Sequence, residues 1–131
     1  LLVNKKPSGG SYPCHITINK NGYVLTSNYG DGAVGLLKVR SDGKFLYASN
    51  RGHNSIAIYQ VGSKNGSLSM ISTESTRGEI PRNFSITPDD KYLLVANKKT
   101  NSLVSFARDR KNGMLKFVDQ IPVPTPVCIL F

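Results

Sequence analysis

One short phrase recurs three times in this chain, at spacings that do not match. Residues 23–28 (YVLTSN), 45–50 (FLYASN) and 92–97 (YLLVAN) are each an apolar-rich run ending in Asn. A short polar turn and a second apolar run follow each, at 33–37, 55–59 and 102–106. Repetition of a strand-sized unit is the signature of a solenoid or propeller. Asn50 and Asn97 stand 47 positions apart, a spacing that suits one four-stranded propeller blade. Asn28 and Asn50 stand only 22 apart, so part of a blade is missing between them, near residues 37–41.

Aromatic and β-branched residues gather in short runs separated by Gly, Asn, Asp, Pro and Ser, with no 3.6-residue periodicity. That is the pattern of strands and turns, and it predicts an all-β chain. At 131 residues the chain is too short for a closed propeller, which needs at least four blades of roughly 40–50 residues.

Alignment on the three Asn residues exposes a further strand before two of the copies. Residues 13–18 (PCHITI) and 81–86 (PRNFSI) start with Pro and turn apolar, and so does 126–131 (PVCILF). The middle copy keeps its turn at 41–44 but has no Pro-led strand before it. Hairpin signals at 61–73 and 108–118 add an outer strand to the second and third copies. The expected organisation is a partial β-propeller, about three incomplete four-stranded antiparallel blades. Residues 1–39 form a first partial blade and 40–76 a second. Residues 77–120 form the complete blade, with strands at 81–86, 91–97, 102–107 and 114–118, and 121–131 a lone closing strand.

Because antiparallel strands reverse direction, loops entering the first strand of a module share a face with those joining its second and third strands. That face should collect His15, Arg82 and Asn83, the turn at 29–31, Arg51, His53 and Asn54, and Lys98 and Lys99. Cations and amides converging on one mouth suit a small oxygen-rich anion. The net charge of +9, from 17 Lys and Arg against 8 Asp and Glu, also favours anionic partners. The basic residues are scattered over loops rather than arrayed on a helix or in a tract, which argues against nucleic acid. No 18-residue apolar stretch and no signal-peptide pattern is found, so the expected setting is cytoplasmic, away from the membrane. Cys14 and Cys128 sit at different offsets from their Pro residues and should remain two buried thiols.

Several segments closely resemble the seven-bladed propeller lactonases, the family of bacterial-type 6-phosphogluconolactonase. They are 42–56 (DGKFLYASNRGHNSI), 78–84 (GEIPRNF), 92–97, and the tail 123–128 (VPTPVC). Residues 12–15 (YPCH) and 27–30 (SNYG) look like that family's first complete blade. The family's chains are more than twice as long, so the resemblance implies a seven-bladed parent whose central blades are skipped near Val39 and Arg40. It implies a hydrolase opening 6-phosphogluconolactone to 6-phosphogluconate in the pentose phosphate pathway, with no cofactor. The alternatives are an inactive or binding-only propeller fragment, a related sugar lactonase, or a muconate cycloisomerase.

Opening a δ-lactone needs a base to activate water, donors for the developing oxyanion, and a seat for the phosphate. The planar fork of arginine suits both anions, and Arg82 is the first candidate. A His or a carboxylate suits the base role, and His15 follows as the second candidate catalytic residue. Arg51, His53 and Asn83 are candidate substrate-binding residues, and Glu79, entering the same strand as Arg82, is a weaker candidate base. Asn28, Asn50, Asn54 and Asn97 read as scaffold, because Asn closes turns with its own side chain and tolerates left-handed backbone. The two His and two Cys lack metal-ligand spacing, so no metal is expected. No Gly-x-Ser-x-Gly elbow is present, and no helix follows the glycines to make a phosphate loop. The expected partner is a small anionic sugar lactone, with self-association through open strand edges.

Overall fold

A computed structural model describes residues 43–63 and 67–131 in full and, before them, the backbone of three strands. Its described residues form strands and turns, with no helix. Strands β1 (Pro13–Ile18) and β2 (Val24–Asn28) make a two-stranded antiparallel sheet. Strands β3 (Leu37–Val39), β4 (Phe45–Asn50), β5 (Ser55–Val61) and β6 (Leu68–Ser75) make a four-stranded one. Strands β7 (Pro81–Ile86), β8 (Tyr92–Asn97), β9 (Ser102–Arg108) and β10 (Leu115–Pro122) make another. Each four-stranded sheet is a simple antiparallel meander in chain order, the form of a propeller blade.

The alternation of β9 shows how sequence makes these strands. Ser102, Val104, Phe106 and Arg108 are buried, while Leu103, Ser105 and Ala107 between them are half-buried. That is the two-residue period of a pleated strand covered more fully on one face. The buried faces of the two four-stranded sheets meet in one core. Phe45, Tyr47, Ile56 and Ile58 from one pack with Phe84, Leu93, Val95, Val104, Phe106 and Leu115 of the other. Burial of each large apolar side chain in such a core contributes about 1.5–3 kcal/mol.

Two pairings differ from the sequence reading. The run at 33–37 was expected to be the third strand of the first module. Instead, Leu37–Val39 pairs with β4, Leu37 opposite Ala48 and Val39 opposite Leu46. Only five residues separate Val39 from Phe45, and so short a connection can join neighbouring strands only antiparallel. The second module thereby gains a first strand, though one of three residues. At the other end, residues 126–131 join no ladder, and the last strand stops at Pro122. Cys128, expected to be buried, is an exposed free thiol, because among the described residues no strand pairs with this segment. Cys14 lies outside the residues whose side chains are described.

Candidate functional site

The expected mouth-facing loops are tied together by a compact set of hydrogen bonds. Residues 76–80, which cross from β6 to β7, lie between the β4–β5 turn and the β8–β9 turn. The Asn54 carbonyl accepts the Thr76 N–H at 3.0 Å and the Thr76 hydroxyl at 2.9 Å. Asn54 Oδ1 accepts the Ile80 N–H at 3.0 Å. On the other side, Lys98 N–H donates to the Ile80 carbonyl and Lys99 N–H to the Glu79 carbonyl. Asn97, fully buried, donates its Nδ2 to the Thr76 carbonyl at 2.8 Å, and Asn50 Oδ1 accepts the His53 N–H at 3.1 Å. These asparagines have the scaffold role their recurrence suggests. Gly78 is needed here for space: a Cβ would stand 2.4 Å from Thr100 Oγ1 and 2.5 Å from Asn97 Nδ2.

The crossover delivers the chain directly into β7 at Pro81, and a bulge follows. Pro81 pairs with Asn97 and Asn83 with Ala96, so Arg82 is the extra residue. A bulge re-aims a side chain and often stands beside a functional site. Arg82 is exposed while its neighbour Pro81 is buried. Strand β1 repeats the device: Pro13 pairs with Asn28 and His15 with Ser27, which makes Cys14 the extra residue. His15 therefore occupies the register position of Asn83. Its side chain lies outside the described residues.

The other candidates are more engaged. His53 is exposed, and its Nδ1 is 2.9 Å from Ser55 Oγ on the same turn. Arg51 is half-buried in that turn. Asn83 accepts the Ile129 N–H through Oδ1 at 3.0 Å. Glu79 forms an ion pair with Lys99, both side chains about half-exposed or more. Among the described residues, no group of three or more His, Cys, Asp or Glu could hold a metal, and no helix could cross a membrane.

Sequence reasoning missed Arg108, which is 5% exposed. Its Nε donates to Tyr47 Oη at 2.8 Å and its Nη1 to the Asp90 carbonyl at 3.1 Å, while Nη2 is buried without a partner. Tyr47 in turn donates to the Gly113 carbonyl at 2.6 Å, joining the sheets at the end opposite the candidate site. The signal was available in the parity of β9, which places Arg108 on the same face as Val104 and Phe106.

Antiparallel four-stranded modules packed face to face through a shared core define a partial β-propeller. A family profile described as "Lactonase, 7-bladed beta-propeller" matches residues 1–44 and 35–131, the two segments overlapping across β3. The chain belongs to this family. It is 37% identical over 96 residues to a 6-phosphogluconolactonase of Bacillus subtilis, covering 72% of this chain and 28% of that protein. A 6-phosphogluconolactonase of Formosa agariphila is 54% identical over 54 residues, 40% of this chain and 15% of the relative. A solved candidate 6-phosphogluconolactonase of Bacteroides fragilis superposes with a TM-score of 0.77 at 36% identity, over 88% of this chain and 40% of its own. The chain thus spans less than a third of these two relatives and about two fifths of that solved structure.

Proposed function

We propose that this chain carries the anion-recognition part of a lactone-hydrolysing site, with 6-phosphogluconolactone as substrate. The observation that carries the reading is Arg82 itself, an exposed arginine at a strand bulge beside turns that bear Arg51, Lys98 and Lys99. An arginine fork makes two charge-assisted hydrogen bonds to phosphate or carboxylate oxygens. Relatives named 6-phosphogluconolactonase support the same substrate. A phosphorylated sugar points to a cytoplasmic reaction in the pentose phosphate pathway.

In this reading Arg82 seats the phosphate, and Asn83, Arg51 and His53 orient the sugar oxygens. His15 takes a proton from water as the oxygen attacks the lactone carbonyl. The tetrahedral oxyanion collapses, the ring C–O bond breaks, and the departing oxygen regains a proton, leaving 6-phosphogluconate. A binding-only reading is favoured by one observation. Glu79, the carboxylate that could act as base, is held in an ion pair with Lys99.

Hydrolysis of 6-phosphogluconolactone and of unphosphorylated gluconolactone by the purified chain separates these readings. Arg82→Ala should lower kcat/KM for the phosphorylated substrate by about 10- to 100-fold, the worth of one or two charged hydrogen bonds, and spare the other. His15→Ala should lower kcat for both. Saturable binding without turnover selects the binding-only reading. Equal turnover of both lactones, unchanged by Arg82→Ala, removes the phosphate from the proposal.

A further inference from the structure

The repeats leave one strand of each kind mismatched. Two Pro-led strands lie in register against Asn-ended ones, Pro13 opposite Asn28 and Pro81 opposite Asn97. The third Asn-ended strand, β4, instead carries the three-residue β3, whose ladder covers only Leu46 to Ala48. The third Pro-led segment, residues 126–131, joins no ladder at all.

That segment is nevertheless positioned as the opening of a further module. Asn101 accepts the Val123 N–H through its carbonyl and the Thr125 N–H through Oδ1, both at 2.9 Å. Asn54 holds Thr76 and Ile80 in the same way one repeat earlier. The backbone agrees: φ is +52° and +49° at the two asparagines, and +54° and +44° at Ile80 and Thr125, each just before a proline. Residues 126–131 therefore correspond to Pro81–Ile86, with Cys128 in the place of Asn83 and Ile129 in that of Phe84. Ser85 and Ile86, the counterparts of Leu130 and Phe131, are buried and half-buried, whereas Leu130 and Phe131 are 87% and 65% exposed.

We infer that residues 126–131 of one molecule add as a strand to β4 of a second copy of this chain, displacing β3. The register follows from the Pro81–Asn97 pairing: Pro126 opposite Asn50, a bulge at Val127, Cys128 opposite Ser49, Ile129 opposite Ala48, and Phe131 opposite Leu46. The exchange replaces a three-pair ladder with a longer one and covers two exposed apolar side chains. The occupant is a second copy rather than the same molecule because Asn101 holds Thr125 one module beyond β7, while β4 belongs to the module before it. Strand exchange between identical chains is a low-cost route to association.

The native thiol supplies the test. In a Cys14→Ser background, Ser49→Cys should form an intermolecular disulfide with Cys128 under mild oxidation, because directly opposed strand positions meet disulfide geometry. A reducible doubled band that disappears with Cys128→Ser supports the exchange. An intrachain disulfide, or no disulfide in a folded protein, overturns it. Independently of that variant, light scattering should give the unmodified chain a mass at least twice 14.3 kDa. Leu130→Glu with Phe131→Glu should return it to a single 14.3 kDa. A unmodified chain that stays monomeric at high concentration also overturns the proposal.

Discussion

Asn54 holds Ile80 across the seam between two modules, its Oδ1 accepting the Ile80 N–H at 3.0 Å while both residues have positive φ. A β-branched residue in the left-handed region is strained, and Ile80 keeps that conformation because Asn54 and Lys98 hold its N–H and carbonyl. Asn54→Ala should destabilise the fold by about 1–3 kcal/mol, from the lost acceptor and the lost tolerance for left-handed backbone. Asn54→Gly keeps that tolerance and should recover about 1 kcal/mol of the loss. Urea unfolding of the three proteins checks this; equal midpoints for Ala and Gly would assign the whole effect to the hydrogen bond.

Glycine substitutions should split by the room each site offers. A Cβ at Gly78 meets buried Asn97, and one at Gly113 meets the Phe45 ring at 2.5 Å on a backbone with φ of +79°. Gly78→Ala and Gly113→Ala should each cost about 1–3 kcal/mol, as overpacking does. Gly52→Ala, with its nearest neighbour at 3.7 Å, should stay within about 0.5 kcal/mol of the parent. Thermal melts of the three variants test the ranking, and a destabilising Gly52→Ala would contradict the packing described.

Arg108 and Tyr47 are both buried, and Arg108 Nε donates to Tyr47 Oη. Tyr47→Phe removes the acceptor of Arg108 Nε and the donor to Gly113, and should cost about 1–3 kcal/mol. Arg108→Met exchanges a buried cation with an unpaired Nη2 for an apolar side chain of similar length. It should be within about 1 kcal/mol of neutral, or stabilising. The double variant should lose less than the sum of the two, since Tyr47 no longer has Arg108 to satisfy. Additive losses in a double-mutant cycle would show that the two act separately.

The repeats made the module order legible, because Asn-ended and Pro-led strands recur as short words with turn residues between them. The role of Asn54 was readable too, since asparagine is a common non-glycine residue in left-handed turns. Two features were not. The pairing of Leu37–Val39 with β4 depends on connection length and on competition between partners, which three apolar-containing residues do not encode. The burial of Arg108 was hidden by its residue type, although the parity of β9 pointed inward. The nearness of the β4–β5 turn, the β6–β7 crossover and the β8–β9 turn followed from strand direction. The engagement of Glu79 with Lys99 did not, because it depends on how the crossover folds back on the β8–β9 turn.

The turn between β7 and β8 should contribute to acid sensitivity. The Thr87 hydroxyl donates to Asp89 Oδ1, the Lys91 N–H donates to the same oxygen, and the two hold the Asp89 carboxyl below its ordinary pKa. A carboxyl lowered on folding stabilises the native state above its unfolded value near 3.8, and that contribution fades as pH falls through the folded value. The stability gap between the parent and Asp89→Asn should therefore be constant near neutrality and close below about pH 4. Urea midpoints measured from pH 7 to pH 2.5 test this; a gap that widens on acidification has the wrong sign.

Salt should separate the two lactones. The chain carries a net charge of +9, and a phosphate monoester carries about −1.5 to −2 at pH 7. Attraction between them would reach about 30 Å at 0.01 M salt but only about 10 Å at 0.1 M. If Arg82 and the neighbouring turns gather the phosphate, kcat/KM for 6-phosphogluconolactone should fall several-fold as sodium chloride rises across that range. The uncharged gluconolactone has no such attraction to lose, so its kcat/KM should hold steady. Arg82→Ala should flatten the phosphorylated curve, since the charge that anchors the phosphate is gone. Parallel decline for both lactones would place the salt effect on the protein's own stability or association and remove steering from the proposed mechanism.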